Sequence, residues 1–455
     1  MSKNIVVEIN HELKNDEILY YSQRNILKKN CTIQFGNMKT KAKVINHILQ
    51  SIKVDHLELS LEIAKKLKLP MKQISLVMTT NYKSNQISLG PIIGIFIKRK
   101  KTQKQISSVQ IEIIRHYLIN AKSLKYFAYA FCAEDIDFDK RTIHGFILDE
   151  NQQIIKRTVP FPNVIYDQNC SRTYEKQANV ILALQKLYDE VPYYFNPGYL
   201  NKWEIFEYIS NHEIAKRYHP PTILLEDVTS VSKEVKKHGL IYLKPINGSQ
   251  GKGIITITKK NNYYEYKHQG SMLIEGKCIN EKKLQEVISN TIKQRKYIIQ
   301  KGLHLIKYNN CPVDIRVLMQ KNEHGKWIRT KLFARVSKPG SITSNLSMGG
   351  EAKTLDEVLR NIFSNSMIIS IKNKLRTASR IIANALEEKS EKNFGELGLD
   401  LGITENGQIW LIEINSKPWK TVETKSGTKE LVEKSFKRPI EYAGYLAYHG
   451  YKNEV

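Results

Sequence analysis

The 455-residue chain is poor in cysteine. Its five stand at 31, 132, 170, 278 and 311, with no CxxC pair. An odd number at such wide spacing argues against a disulfide framework or a zinc site and for a reducing compartment. Long apolar runs are also lacking. Pro91–Ile97 and Tyr126–Ala133 are the longest, far short of the ~20 residues a membrane helix needs. The opening MSKNIVVEINHE loses its apolar character at Glu8, so no secretory signal is expected. No repeat of fixed period is visible. The expectation is a soluble, cytosolic protein. Acidic residues are in deficit, 45 against 71 basic ones, for a net charge of +26. That surplus suits an anionic partner such as nucleic acid, anionic lipid, polyphosphate or an acidic substrate. A plain Lys- and Asn-rich bias explains it equally well, because the densest run is only Lys98–Lys101.

What is present is enough apolar residue, 41%, to build a sizeable core, with an ordinary 25% charged. Collagen-like, low-complexity and disordered classes are excluded. At about 100–200 residues per domain, two to four domains are expected. Residues 1–105 read as a β-rich N-terminal domain. Its strands include Cys31–Phe35, Ile74–Met78 and Pro91–Lys98, and a short helix at Leu61–Lys68 is capped by Ser60 and stopped by Pro70. Residues 106–200 alternate between helix (Val109–Ala121, Gln177–Glu190) and strand (Tyr126–Phe131, Thr142–Leu148, Val164–Tyr166), the mark of a small α/β domain. Residues 201–455 form a third unit. A helix is expected at Lys202–Arg217, with others at Lys233–His238, Glu281–Lys296, Met367–Glu388 and 429–450. Strands are expected at Leu240–Pro245, Gly253–Lys259, Tyr297–Lys301, Val313–Gln320, Trp327–Val336, Gly398–Ile403 and Ile409–Ile414.

Three stretches of the third unit carry chemistry. In YLKPINGSQGKGI, a strand ends in Lys244 and a loop follows with glycines at 248, 251 and 253 and a second lysine, Lys252. Glycines let successive backbone N–H groups approach phosphate oxygens, and the lysines add charge. GxxxxGK[ST] spacing is absent and a strand follows, so this is no Walker loop. A glycine-rich hairpin with a chance lysine is the competing reading. Downstream, ELGLD and WLIEINSKP bring Asp400, Glu413 and Asn415 onto two adjacent strands. Period-two alternation puts Glu413 and Asn415 on one face, and Asp400 can lie opposite. Two carboxylates and an amide oxygen suit Mg²⁺. Solvated strand carboxylates are the alternative, weakened because Glu413 interrupts an apolar run and needs a partner there. Lastly, Arg316 in VDIRV and Arg335 in ARV sit in apolar strand contexts, fitted to bind phosphate or carboxylate. Structural pairing, for instance of Asp314 with an arginine, competes for each.

Together these stretches resemble the ATP-grasp superfamily over about 200–455. The strings FGELGLDLGI, WLIEINSKP, DIRVLMQ, ARVSKPGSITSNLSMGGEA and YLKPINGSQGKGI look like the YheC/YheD-type, endospore coat-associated branch. SLGPIIGIFI resembles that branch's N-terminal region. The resemblance implies an α+β multidomain chain. Two α+β lobes hold ATP between them, preceded by a small α/β domain and the β-rich domain. It implies that Lys202 and Lys244 contact phosphates and that Ser249, Gly251, Lys252 and Gly253 belong to a flap over them. Tyr297–Leu303 would be the hinge beside adenine, with Gln300 and Lys301 nearest the base and Gly302 and Leu303 following. Asp400, Glu413 and Asn415 would bind Mg²⁺. Arg316, Arg335 and Asn345 would face phosphate and acyl substrate. Trp419 departs from the glycine many relatives carry after NSKP, which alters the acceptor end of the site.

The implied reaction is ATP-dependent amide formation through an acylphosphate, on an amino-acid or peptide substrate, in the mother-cell cytosol during spore coat formation. Such chemistry needs positioning and charge neutralisation rather than a Ser-His-Asp constellation, and none is apparent. A second possibility is a nucleotide-binding coat component whose role is assembly, with coat proteins as partners. A nucleic-acid binder ranks last, for want of a recognisable module.

Overall fold

The computed structural model describes residues 2–24, 27–99, 106–248, 251–270, 272–340, 350–422 and 427–450. Strands Ser2–Asn10, Glu17–Ser22, Asn30–Phe35, Met38–Ile48, Asp55–Ser60, Gln73–Asn81 and Gln86–Gly90 close into a barrel. Alternate residues point inward, as a barrel requires: Ile5 and Val7, Ile33 and Phe35, Leu57 and Leu59, Leu76 and Met78 are all buried. The helix Leu61–Leu67 begins where Ser60 Oγ accepts from the Ile63 amide.

The next strand, Ile92–Phe96, is buried along its whole length and does not join the barrel. It pairs in parallel with Phe127–Phe131 and Val164–Asp167 at the centre of a second sheet. Grouping it with the N-terminal strands by position therefore differs from its pairing. A run of five apolar residues without polar alternation fits a strand covered on both faces. One face of this sheet packs on the barrel through Phe35, Phe127 and Tyr129. The other packs on helices Ser108–Ser123 and Lys429–His449, through Ile113, Tyr117, Phe436 and Ile440. The C-terminal helix, expected within 201–455, thus returns to cover the middle sheet.

Two lobes follow. The first has the strand order Thr222–Leu225, Tyr297–Lys301, Leu240–Pro245, Ile254–Lys259, Tyr264–Gln269, Leu273–Cys278, backed by helices Thr229–His238 and Glu281–Ile292. The second has the order Glu351–Lys353, Trp327–Val336, Cys311–Lys321, Glu396–Ile403, Ile409–Asn415, backed by the long helix Asn365–Ser390. In the second lobe, Val313, Ile315, Val317, Met319, Leu397, Leu399 and Leu401 join the core with that helix. Alternation turns Asp314, Arg316, Leu318 and Gln320 to the other face, with Glu396, Gly398 and Asp400 beside them. No described helix is long and apolar enough to cross a membrane.

Some element boundaries differ from expectation. The helix from Lys202 stops at Ser210, and Ala215–Tyr218 is a 3₁₀ turn. His212 Nδ1 accepts from the Ile214 and Ala215 amides, both at 3.2 Å, drawing them from the helical ladder. The helix from Glu281 ends at Ile292. Strands Ile154–Pro160, Tyr264–Gln269 and Leu273–Cys278 were not anticipated.

Candidate active site

The two lobes meet through Lys202. Asn201 caps its helix, accepting from the Trp203 and Glu204 amides, and this fixes Lys202 in the first turn. The Lys202 ammonium donates to Gly248 O (2.8 Å), at the mouth of the glycine loop, and to Glu413 Oε1 (3.1 Å) on the second lobe. Lys244 ends its strand buried and donates to Gln300 Oε1 at 2.6 Å. Burial pushes Lys244 down to about 8, against the opposing pull of Glu413, while Lys202 lowers it further. Gln300 is held from its other end by donating to Thr222 Oγ1 (3.0 Å). It is therefore a bracket for Lys244. Lys301 and Gly302 lie at the end of the same strand, and their amides are used by Pro221 O and Leu240 O. Leu303 follows them directly.

Gly251 and Gly253 adopt φ of +74° and +80°, where a side chain would be strained. The Gly253 amide donates to Gln269 O (2.6 Å), and Tyr297 Oη donates to Gly253 O (3.0 Å), so the second half of the loop is anchored. Lys252 between them is exposed. Ser249 lies outside the described residues, as does Asn345.

Asp400 pairs in register with Glu413, and Gly398 with Asn415. A bulge follows Asp400 in this strand pair. Asp400 is buried between two guanidiniums. Arg316 Nε lies 2.6 Å from its Oδ1, and Arg335 Nη2 lies 2.8 Å from its Oδ2. Burial nevertheless pushes the Asp400 carboxyl above its usual range: it exceeds the opposing pull of Arg316 and Arg335, and Asp314 and Glu413 add to it to a smaller degree. Its Oδ1 accepts no aligned hydrogen bond among the described residues. Burial also pushes Glu413 up, but Lys202, Lys244 and Arg316 together hold it below the usual carboxylate range. Two facing carboxylates and an amide oxygen two residues along the same strand, with Asp400 Oδ1 contacted by Arg316 but lacking an aligned hydrogen bond, are a donor set that fits a divalent cation. No group of three or more His, Cys, Asp or Glu side chains converges among the described residues, so Asn415 is needed to complete the set.

Arg335 is bound bidentately to Asp314, at 2.5 and 2.7 Å, besides its contact with Asp400. The structural-pairing alternative holds for this residue. Arg316 is about one-fifth exposed (21%) and among the described residues its ion pair is with Asp400, so it keeps donors for a ligand. Lys202, Lys244, Gln300, Arg316, Arg335, Asp400 and Glu413 thus form one cluster. A separate groove of about 350 Å³, lined by Arg329, Lys372 and Arg376, lies against the helices of the second lobe and includes none of them.

The YheC/D-like ATP-grasp profile matches residues 192–446, more than half of the chain. The chain belongs to the YheC/D-like ATP-grasp family. Endospore coat-associated protein YheD of Bacillus subtilis (strain 168) is 28% identical over 371 residues, covering 79% of this chain and 80% of the relative. Protein YheC of the same strain is 26% identical over 290 residues, 63% of this chain and 78% of the relative. Among solved structures, D-cycloserine synthetase DcsG is similar at a TM-score of 0.47 and 11% identity, covering 77% of this chain and 99% of that one. D-alanyl-alanine synthetase A from Vibrio cholerae gives 0.45 and 12%, covering 78% and 99%.

Sequence reasoning missed a buried ionic seam just past the family's acidic strands. Lys417 Nζ lies 2.5 Å from Asp167 Oδ1, and Lys420 Nζ lies 2.5 Å from Glu396 Oε2. Lys420 also donates to Tyr117 Oη (2.8 Å), and Tyr166 Oη donates to Glu396 Oε1 (2.5 Å). The seam joins the middle sheet to the second lobe. Its one sequence signal was two lysines close together in NSKPWK, directly after an apolar strand.

His219 lies under the cluster, its ring centroid 5.2 Å from that of Phe206. Burial, aided by Lys244, lowers its pKa to about 4, against a hydrogen bond to Pro220 O. A depressed folded-state value means the folded protein prefers neutral imidazole. The corresponding stability is complete above about pH 6.5 and is lost as pH falls towards 4. NMR titration is expected to give a His219 midpoint near 4. In urea unfolding, His219→Gln should flatten the decline over that window. A midpoint near 6.5 would contradict this.

Proposed function

We propose that the chain is an ATP- and Mg²⁺-dependent carboxylate–amine ligase. It forms an amide through an acylphosphate on an amino-acid or peptide substrate. The observation that carries this reading is the junction of Lys244 from the first lobe with Glu413 and Asp400 of the second, bridged by Lys202, whose helix packs in the second lobe's core and whose ammonium reaches Gly248 O of the first. Asp400, Glu413 and Asn415 would hold Mg²⁺, which when bound neutralises charge on the phosphates. Lys202 and Lys244 bind phosphate oxygens, and the anchored Gly251–Gly253 turn limits access of water. Arg316 orients the substrate carboxylate, while Arg335 fixes Asp400 and Asp314. A carboxylate oxygen attacks the terminal phosphorus and ADP leaves. The amine nitrogen then attacks the acyl carbon, loses a proton, and inorganic phosphate leaves. Positioned cations suffice for the first step, since the carboxylate is already a nucleophile.

The names of the Bacillus subtilis relatives, endospore coat-associated proteins, support placing this activity in spore coat formation; the compartment proposed for it is the mother-cell cytosol. They support equally a nucleotide-binding coat component with little catalysis. Release of ADP and phosphate, assayed over a panel of amino acids and short peptides, separates the two. The ligase releases both only with Mg²⁺, a carboxylate and an amine together. ATP binding with no release across the panel would leave the assembly role.

A further inference from the structure

Lys331 stands on the strand Trp327–Val336, opposite Leu318. The alternation that turns Ala334 and Val336 into the core turns Lys331 to the cleft face, with Arg335 two places further along that face. Its strand partner's neighbour is Arg316, paired with Phe333. Lys331 and Arg316 are therefore diagonal neighbours, about 7–8 Å apart at Cα.

Among the described residues, the neighbouring cations along this floor are already matched. Arg316 and Arg335 hold Asp400, Lys420 holds Glu396, and Lys417 holds Asp167. Glu396 is the acid in whose field Lys331 lies. It is occupied by Lys420, Tyr166 and Gln320. Lys331 itself is half-buried and has no hydrogen bond or ion pair among the described residues. Burial, followed by Lys420, lowers its pKa to about 8, so at neutral pH it stays mostly charged. A half-buried charge without a counter-ion is costly unless a ligand supplies one. The position is one step along the floor from Arg316, on the side towards Glu396 and Lys420 and away from Asp400.

Resting on the ligase reading, we infer that Lys331 binds a second carboxylate of the substrate, one that is not activated, and so selects acidic amino acids or acidic peptides. The test uses the full chain saturated with ADP and Mg²⁺ and isothermal titration with acid–amide pairs. Glutarate against glutaramate probes a second carboxylate on the acyl side. L-aspartate against L-asparagine probes one carried by an amino-acid substrate. Wild type should bind the acid of at least one pair about tenfold or more tighter, in line with a charge-assisted contact. Lys331→Gln should abolish that preference and Lys331→Arg should keep it, with ADP affinity unchanged within about twofold. Lys331→Met, which keeps the aliphatic stem, repeats the test should Gln disturb packing. Equal preference in wild type and the Gln or Met variant would overturn the inference, as would no preference in wild type that binds ADP. Wild type that binds no nucleotide would overturn the ligase reading itself.

Discussion

Glu413→Gln is expected to lower Mg²⁺-dependent ATP turnover by about 10²–10³-fold, the scale of losing one preorganised electrostatic group in a catalytic site. Glu413 meets three demands together. It faces Asp400 in register, it accepts from Lys202, which also reaches Gly248 O of the first lobe, and it offsets the desolvation of Lys244. The amide keeps the shape and removes the charge. Lys202 and Lys244 then repel without a common counter-ion, and the cation loses one of its two carboxylates. The measurement is steady-state ADP release as a function of Mg²⁺ concentration. The variant should need more Mg²⁺ as well as turning over more slowly. Turnover within a few-fold of wild type at equal Mg²⁺ would remove Glu413 from the metal set. Asp400 is a poorer probe. It is enclosed by Arg316 and Arg335, so its removal strands buried cations and endangers the fold before the chemistry can be read.

That contrast shows what the sequence could and could not convey. Asp400, Glu413 and Asn415 were legible because strand alternation is local: a carboxylate in an apolar run announces that it has a partner. Their registration across the hairpin followed from the Asn406-Gly407 turn. Lys244 and the glycines were legible for the same local reason. The identity of each partner was not, because it depends on contacts between residues far apart in the chain. Gln300, expected beside the adenine, has its side chain bound to Lys244, a partner set by the pairing of Tyr297–Lys301 with Leu240–Pro245. Arg335 spends donors on carboxylates of the next two strands of its sheet, Asp314 on the adjacent one and Asp400 on the one beyond. The strand Ile92–Phe96 was correctly read as extended, but pairing is non-local and carried it into the second sheet. Pro439 within the last helix gave no hint of its use. Lacking an N–H, it leaves the carbonyl of Ser435 free, and Gln320 Nε2 donates there at 2.8 Å while also holding Glu396.

The same Glu396 makes Lys420→Met the largest expected loss of stability, about 3–5 kcal/mol, the cost of leaving one member of a buried ion pair uncompensated. Lys420 and Glu396 are nearly sealed from solvent, with side chains 1% and 2% exposed. The ammonium also holds Tyr117 and Tyr166 of the middle sheet. Removing both charges, as in Lys420→Met with Glu396→Gln, should recover a large part of the loss, because two neutral groups carry no unpaired charge. Urea unfolding of the two single variants and the double variant measures the coupling directly. Additive losses, or a single-variant loss below about 1 kcal/mol, would mean the pair is no more than an incidental contact. The consequence extends to chemistry. Glu396 and Asp400 share one strand and one face, with Gly398 between them. A Cβ on Gly398 would sit 3.0 Å from Arg316 and 3.1 Å from Pro418, so the floor there has no slack to absorb a shift. Loosening the seam should displace Asp400 relative to Glu413. The Lys420→Met variant is therefore expected to need more Mg²⁺ for half-maximal turnover even under conditions where it remains folded.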